Sequence, residues 1–308
     1  PKLLGCVCEV DMYEHRELYL REAAFILLRS MLKVFPDELQ VGWPEDSVGA
    51  IEVTDTKAQF GLALLLIMAT MGGESEVVHD VALAEADKLR TASGTSGVAV
   101  LAPYFPFFLT RLVPDSSDLW TNLSPARATF DLMCRELPVA AWTCHERVLA
   151  TIFRHITPPE RPDKDSVEAI EAGYAAQRGD EEIPDLKDVD VRLSMLALLE
   201  VLVRTGSGKW EVGKYLGAAA EAILTKAVVP NLVWRVGRVE ATVRKVALAV
   251  CHGLLRAGAA QGESVFKAAP HLVPLLASNL DDMEASHRAM SCMCLRVCFQ
   301  VLKGAFGE

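Results

Sequence analysis

The chain has 308 residues, 51% of them hydrophobic, with a mean hydropathy of +0.23 and a formal net charge of −10. A chain this apolar is not intrinsically disordered, and one this acidic lacks the cationic field that phosphate backbones and anionic membranes require. Aromatic residues make up only 7%, while Leu, Ala and Val recur throughout, a mix that favours helices over a β-sandwich.

Apolar spacing and breakers predict an all-α chain of about twelve helices, and no segment shows the strict alternation of a half-buried strand. The first four helices are expected over 10–35, 54–72, 74–92 and 97–113. A long acidic loop with Trp43-Pro44 separates the first two, and Gly72-Gly73 ends the second. The apolar run 60–71 is too short to span a bilayer and reads as a buried helix. After the loop around Asp115 and Asp118, helices are expected over 124–136 and 139–156. Ser124-Pro125 places a capping hydroxyl before a proline at the first helical position. Thr157-Pro158-Pro159 stops the next helix, and residues 157–166 form the expected hinge of an otherwise single domain over 1–308. The remaining helices fall over 165–178, 188–205, 211–229, 236–257, 262–279 and 284–303, with a longer turn over 230–237.

Four helices carry an Arg in a similar apolar setting: Arg147, Arg192, Arg244 and Arg288. Their separations are 45 (147 to 192), 52 (192 to 244) and 44 (244 to 288) residues. Repeats of the HEAT class run about 40–47 residues, so the pattern predicts an α-solenoid of antiparallel helix pairs with one insertion, at the turn 230–237. Acidic turns precede two of these helices, at Asp185 before Arg192 and at Asp282 before Arg288. A turn carboxylate can cap the second helix of a pair and meet the Arg of a neighbouring pair. Arg147, Asp185, Arg192, Asp282 and Arg288 are therefore read as a structural ladder. On the helix over 236–257, Val239, Val243, Val246, Ala247, Val250 and Leu254 share one face, beside the i,i+4 pair Glu240 and Arg244. The two helices over 74–92 and 97–113 cannot be phased into such pairs.

The eight cysteines are spread along the chain and mostly sit in apolar helical patterns. Without a signal peptide, they read as reduced thiols of a cytoplasmic protein. The chain opens on Pro1 rather than Met, which reads as a fragment of something longer. No arrangement for catalysis stands out. Gly206-Ser207-Gly208-Lys209-Trp210 lacks the Gly and the Ser or Thr of a phosphate loop, and it joins two helices. Cys292, Cys294 and Cys298 with His287 have no second pair at a metal-binding spacing. Cys144 and His145 are chain neighbours on a helix and face different directions. The chain is expected to be non-enzymatic, with no metal and no cofactor.

One cationic concentration contains an aromatic residue: Trp234, Arg235, Arg238, Arg244 and Lys245. It is read as a candidate protein-binding site for an acidic segment, because Arg and Trp are enriched at binding hot spots. The competing reading is a solvated turn beside the internal Arg ladder. The acidic run from Asp180 to Asp190 reads as a solvated loop, one repeat away.

The residues Pro230-Asn231-Leu232-Val233-Trp234, Gly237-Arg238 and Val243-Arg244 resemble a stretch of the HEAT-repeat axonemal dynein assembly factor family. Leu272, Pro274, Leu275, Leu280, Asp282 and Ser291-Cys292 are similar to the repeat that follows it there. The resemblance covers about 214–304, and only the Pro-Asn-Leu-Val-Trp segment is specific to the family. It implies a cytoplasmic scaffold, working beside chaperones or co-chaperones on dynein chains before they enter cilia, and a chain that stops short of the family's final repeat. Protein partners are expected, and neither nucleic acid nor membrane. The other functions considered are a generic HEAT adaptor, similar to a transport receptor or a phosphatase scaffold, and, from a different class, a thiol or metal enzyme built on the Cys and His residues.

Overall fold

The computed structural model describes residues 102, 104–113, 119–122, 124–157, 189–206, 210–235, 237–257 and 262–306, together with Ala23 and Ile26 as helical positions. Among these residues the regular structure is all-helical and no strand occurs. The expected helices over 54–72, 74–92 and 165–178 lie outside the described residues, as do Asp185 and, but for Thr157, the expected hinge. Contacts divide the chain into two compact units, one of residues 1–151 and 204–216, the other of 152–203 and 217–308.

In the first unit, α1 (Phe105–Leu112) packs on α2 (Pro125–Glu136), and α2 packs on α3 (Pro138–Thr143). Tyr104, Phe105, Phe108, Phe130, Met133 and Trp142 form its core. Burying each such large side chain contributes about 1.5–3 kcal/mol. Ser124 stands at the N-cap of α2, as its pairing with Pro125 predicts, but its hydroxyl accepts from the Thr121 N–H at 2.9 Å rather than from the helix. The expected helix over 139–156 is broken at Cys144 into α3 and α4 (His145–Ile156). At the break Cys144 leaves helical backbone, with φ −104° and ψ 25°. Its N–H still bonds the Ala140 carbonyl, which also accepts the Thr143 hydroxyl at 2.7 Å, and the His145 ring meets the Trp142 carbonyl at 3.1 Å. Gly206, which ends α5 (Val189–Gly206), lies against Trp142: a Cβ there would sit 3.0 Å from the indole nitrogen.

α6 (Trp210–Ala222), which belongs to the second unit from Gly217 onward, runs through a π-helical turn (Ile223–Val228) into the short α7 (Val229–Leu232). Helix formation thus extends past the expected end at 229, and the connection that follows is Val233 to Gly237. Pro230 permits this because it occupies the first turn of α7, where its missing N–H is not needed. Gly237 has φ +123°, a region closed to most side chains, and from it α8 (Arg238–Arg256) departs. The helix α9 (Gly262–Ser278) contains Pro270 and Pro274 and leads through a 3-10 turn (Asn279–Asp281) into α10 (Ala285–Phe306). α9 and α10 pack along each other across that turn, α8 packs on both α7 and α10, and α7 packs on α9. Leu224, Leu232, Leu248, Leu254, Leu272 and Leu276 are fully buried in this unit. On α8 the predicted face buries Val243, Ala247, Val250 and Leu254, whereas Val239, in the first turn, is 44% exposed.

A candidate protein-docking surface built on buried polar junctions

Two arginines of the second unit reach into the turn between a pair of helices. Arg192, on α5, donates from Nε to Asn231 Oδ1 and from Nη1 to Glu240 Oε1, both at 2.9 Å. The Asn231 amide donates in turn to the Ala227 carbonyl (2.7 Å) and to the Ile156 carbonyl at the end of α4 (3.2 Å). One pair further along, Arg244 on α8 donates to Asp282 Oδ2 (3.1 Å) and to the Arg235 carbonyl (3.0 Å). Asn279 there donates to the Leu275 carbonyl (2.8 Å) and to the Leu232 carbonyl at the end of α7 (3.4 Å). Each Asn thus ties the fourth carbonyl before it and the last turn of an earlier helix. The carbonyls of Ile156 and Leu232, at the ends of α4 and α7, thereby gain a donor.

Asp282 is the most heavily loaded group. Its side chain is 4% exposed, its Oδ1 accepts the Glu284 N–H at 3.0 Å, and its Oδ2 faces Arg244. His287 Nδ1 lies 3.1 Å from the same oxygen, in ion-pair range but outside hydrogen-bond geometry. Burial works to raise the carboxyl's pKa, but the Glu284 N–H, His287 and Arg244 together outweigh it and hold the pKa below the usual carboxylate value. Asp282 bonds Glu284, two residues on and just ahead of α10, so it shapes the entry to the helix rather than capping its first turn.

The other predicted ladder residues behave differently. Arg147 lies in α4 and donates to Thr110 Oγ1 and the Val113 carbonyl, both at 3.1 Å, at the end of α1. Arg288 is exposed and donates to the carbonyls of Asp282 and Met283, 2.7 and 2.9 Å away in the turn before its own helix. Asn231, Asn279 and Glu240 carry the junctions and were not predicted to do so. The available signal was an Asn in the last turn of the first helix of two successive pairs.

The outer surface beside these junctions holds the predicted docking cluster, with one correction. Trp234 is 64% exposed, and Val233, Val239, Arg238 and Lys245 are exposed as well. Arg235 is half-buried. Arg244 does not belong to this surface: it is 4% exposed and its guanidinium is committed to Asp282. Its place in the helix decides this, for residue 244 shares the buried side of α8 with Ala247, Leu248 and Cys251. Charge is unevenly placed here. Within an acidic chain, α8 carries four cations and one acid, and α10 carries Arg288, Arg296 and Lys303 with no acid.

No family model, curated protein or solved structure matches this chain.

Most of the described thiols sit in protected surroundings. Cys134, Cys251, Cys294 and Cys298 are buried, and Cys292 is exposed. Burial pushes Cys134 well up and Cys298 up to about 12, while Cys251 is raised first by its contact with Cys294 and then by burial. Cys144 at the break before α4 is also raised, by burial foremost, so it is not poised as a thiolate. His145 turns to the Trp142 carbonyl and lies 5.3 Å from the Tyr215 ring, and Cys144 instead approaches Thr143. Among the described residues no group of three or more His, Cys, Asp and Glu could hold a metal. Asp282, His287 and Ser291 fall close together, yet the Ser291 hydroxyl is fully buried and makes no hydrogen bond. Of the phosphate-loop-like stretch, Ser207, Gly208 and Lys209 lie outside the described residues. No helix among the described residues is long and apolar enough to cross a membrane.

Proposed function

We propose that this chain is a helical-repeat scaffold of the HEAT class that binds other proteins and performs no catalysis. The observation that carries this reading is the repeated junction. An Arg of one helix reaches the turn of the next pair, and an Asn of that turn holds the end of an earlier helix. Bonding that recurs from one helix pair to the next is what a solenoid needs, because each unit contacts chiefly its neighbours. In this reading α6 to α8 and α9 to α10 are successive units. The break in period between Arg192 and Arg244 falls at the α7 segment and the exposed turn after it. Solenoids offer long surfaces on which many modest contacts add, which suits the holding of large clients.

The client class follows from the family resemblance over 214–304, and the reading is cytoplasmic preassembly of axonemal dynein arms. The scaffold would hold dynein chains, chaperones or both. The direct test is affinity capture with the chain from ciliated-cell cytoplasm. Recovery of dynein chains together with co-chaperones is the expected result, and recovery of neither overturns the assembly role. Nuclear-transport cargo or phosphatase subunits in their place would identify a generic adaptor on the same fold.

A further inference from the structure

We infer that the exposed side of α8, with Trp234 at its head, is a docking track for an acidic protein segment that carries a large apolar side chain near one end. The inference rests on the scaffold reading and names the partner's chemistry. At 100° per residue, Arg238, Lys245 and Arg256 lie within about 20° of one another around the helix. All three are exposed, and none is in an ion pair among the described residues. The opposite side of the helix is the buried one, with Ala247 and Leu254 at its middle. The single acid of α8, Glu240, lies on that opposite side and is held by Arg192 at 2.9 Å, so its charge is withdrawn from the track. The result is a row of cations with no ion-pair partner among the described residues, on a chain whose net charge is −10.

The ends of the track differ. Trp234 is 64% exposed and Val239 44% exposed beside Arg238, whereas the far end at Arg256 has no large exposed apolar neighbour on α8. Exposed indole and valine side chains at one end of the track are apolar surface that a large apolar or aromatic side chain covers well. The cations span about 27 Å along the helix, so an extended acidic segment of about eight residues matches their length. A nucleic acid would meet the repulsion of the whole acidic chain, whereas a short acidic peptide meets chiefly the local field, because exposed charges are screened beyond about 8 Å at physiological salt.

The test is fluorescence anisotropy with the whole chain and a labelled peptide of about eight residues, rich in Asp and Glu with one terminal Phe. An Asn/Gln analogue and an oligouridine of similar length serve as comparisons. The acidic peptide is expected to bind about tenfold tighter than its neutral analogue, with an affinity that falls as salt rises. K245E/R256E is expected to weaken it about tenfold, and W234A to weaken it about tenfold while leaving the salt dependence in place. Both variants change exposed residues, and circular dichroism should match wild type. Equal binding of acidic and neutral peptides, unchanged binding by K245E/R256E, or tighter binding of oligouridine each overturns the inference. Capture from ciliated-cell cytoplasm separates it from the reading it rests on. If K245E/R256E still recovers dynein chains at the wild-type level, the track is wrong and the scaffold stands. If the wild-type chain binds the peptide as expected but recovers no dynein chain or chaperone, the track stands and the assembly role falls.

Discussion

The two junctions of the second unit do the same work with different chemistry. At the first, Asn231 alone accepts from Arg192 and donates to two helix-end carbonyls. At the second these tasks are divided: Asn279 holds the carbonyls, and the carboxylate Asp282 takes the arginine. The first arginine finds its counter-charge in Glu240, whose side chain is 20% exposed. The second is neutralised deep in the protein, between side chains that are 5% and 4% exposed. Division of labour therefore gives the second junction a buried charge pair that depends on one residue.

The sharpest break of this comparison is Asp282→Ala. Removing one member of a buried pair leaves the other charge stranded, which costs about 3–5 kcal/mol. Urea denaturation followed by circular dichroism should show it as a large fall in midpoint. Asn231→Ala at the first junction should cost less, about 2–3 kcal/mol, because Arg192 loses one hydrogen bond but keeps its counter-charge Glu240, and the other bonds lost go to neutral carbonyls. If the Asn231 variant were the more damaged of the two, charge would not be what distinguishes the junctions.

Acidity sharpens the comparison further. The Asp282 carboxyl has its pKa lowered in the folded chain, so its contribution is complete above the unfolded value of about 4 and is lost as pH falls through the folded value. Asp282→Asn should flatten that acid limb while leaving stability near pH 7 closer to wild type than Asp282→Ala does. Asn231→Ala should leave the limb in place. Stability measured from about pH 6 to pH 2 in the three proteins tests both expectations.

How much of this was legible in the sequence depends on the range of the interaction. Helix class and most boundaries of the described helices from 124 onward follow from local periodicity and breakers, and the structure places α2, α5, α8, α9 and α10 within about three residues of expectation. The break at Cys144 escaped because it lies in the backbone angles of one residue, which apolar spacing does not report. The turn after α7 was drawn too long because proline reads as a breaker, although it is tolerated in a first turn. In the docking cluster, proximity along the chain gathered Arg244 with Arg238 and Lys245, but the helical turn sends residue 244 inward and the other two outward. The junction partners Asn231 and Asn279 were invisible for a related reason: an Asn amide is ambiguous until its surroundings say which carbonyls it meets.

Arg288 supplies the smallest effect and the cleanest control. Its spacing predicts a third rung equivalent to Arg192 and Arg244, but its guanidinium bonds two carbonyls of its own turn and is exposed. Such contacts compete with water and hold no buried charge, so Arg288→Ala should cost at most about 1 kcal/mol. Arg244→Ala, by contrast, should approach the Asp282→Ala loss, because it strands the carboxylate instead of the guanidinium. Equal losses at 244 and 288 would mean that position in the repeat, rather than burial and pairing, sets what each arginine contributes. A large gap between them would locate the stabilising function in the junction itself.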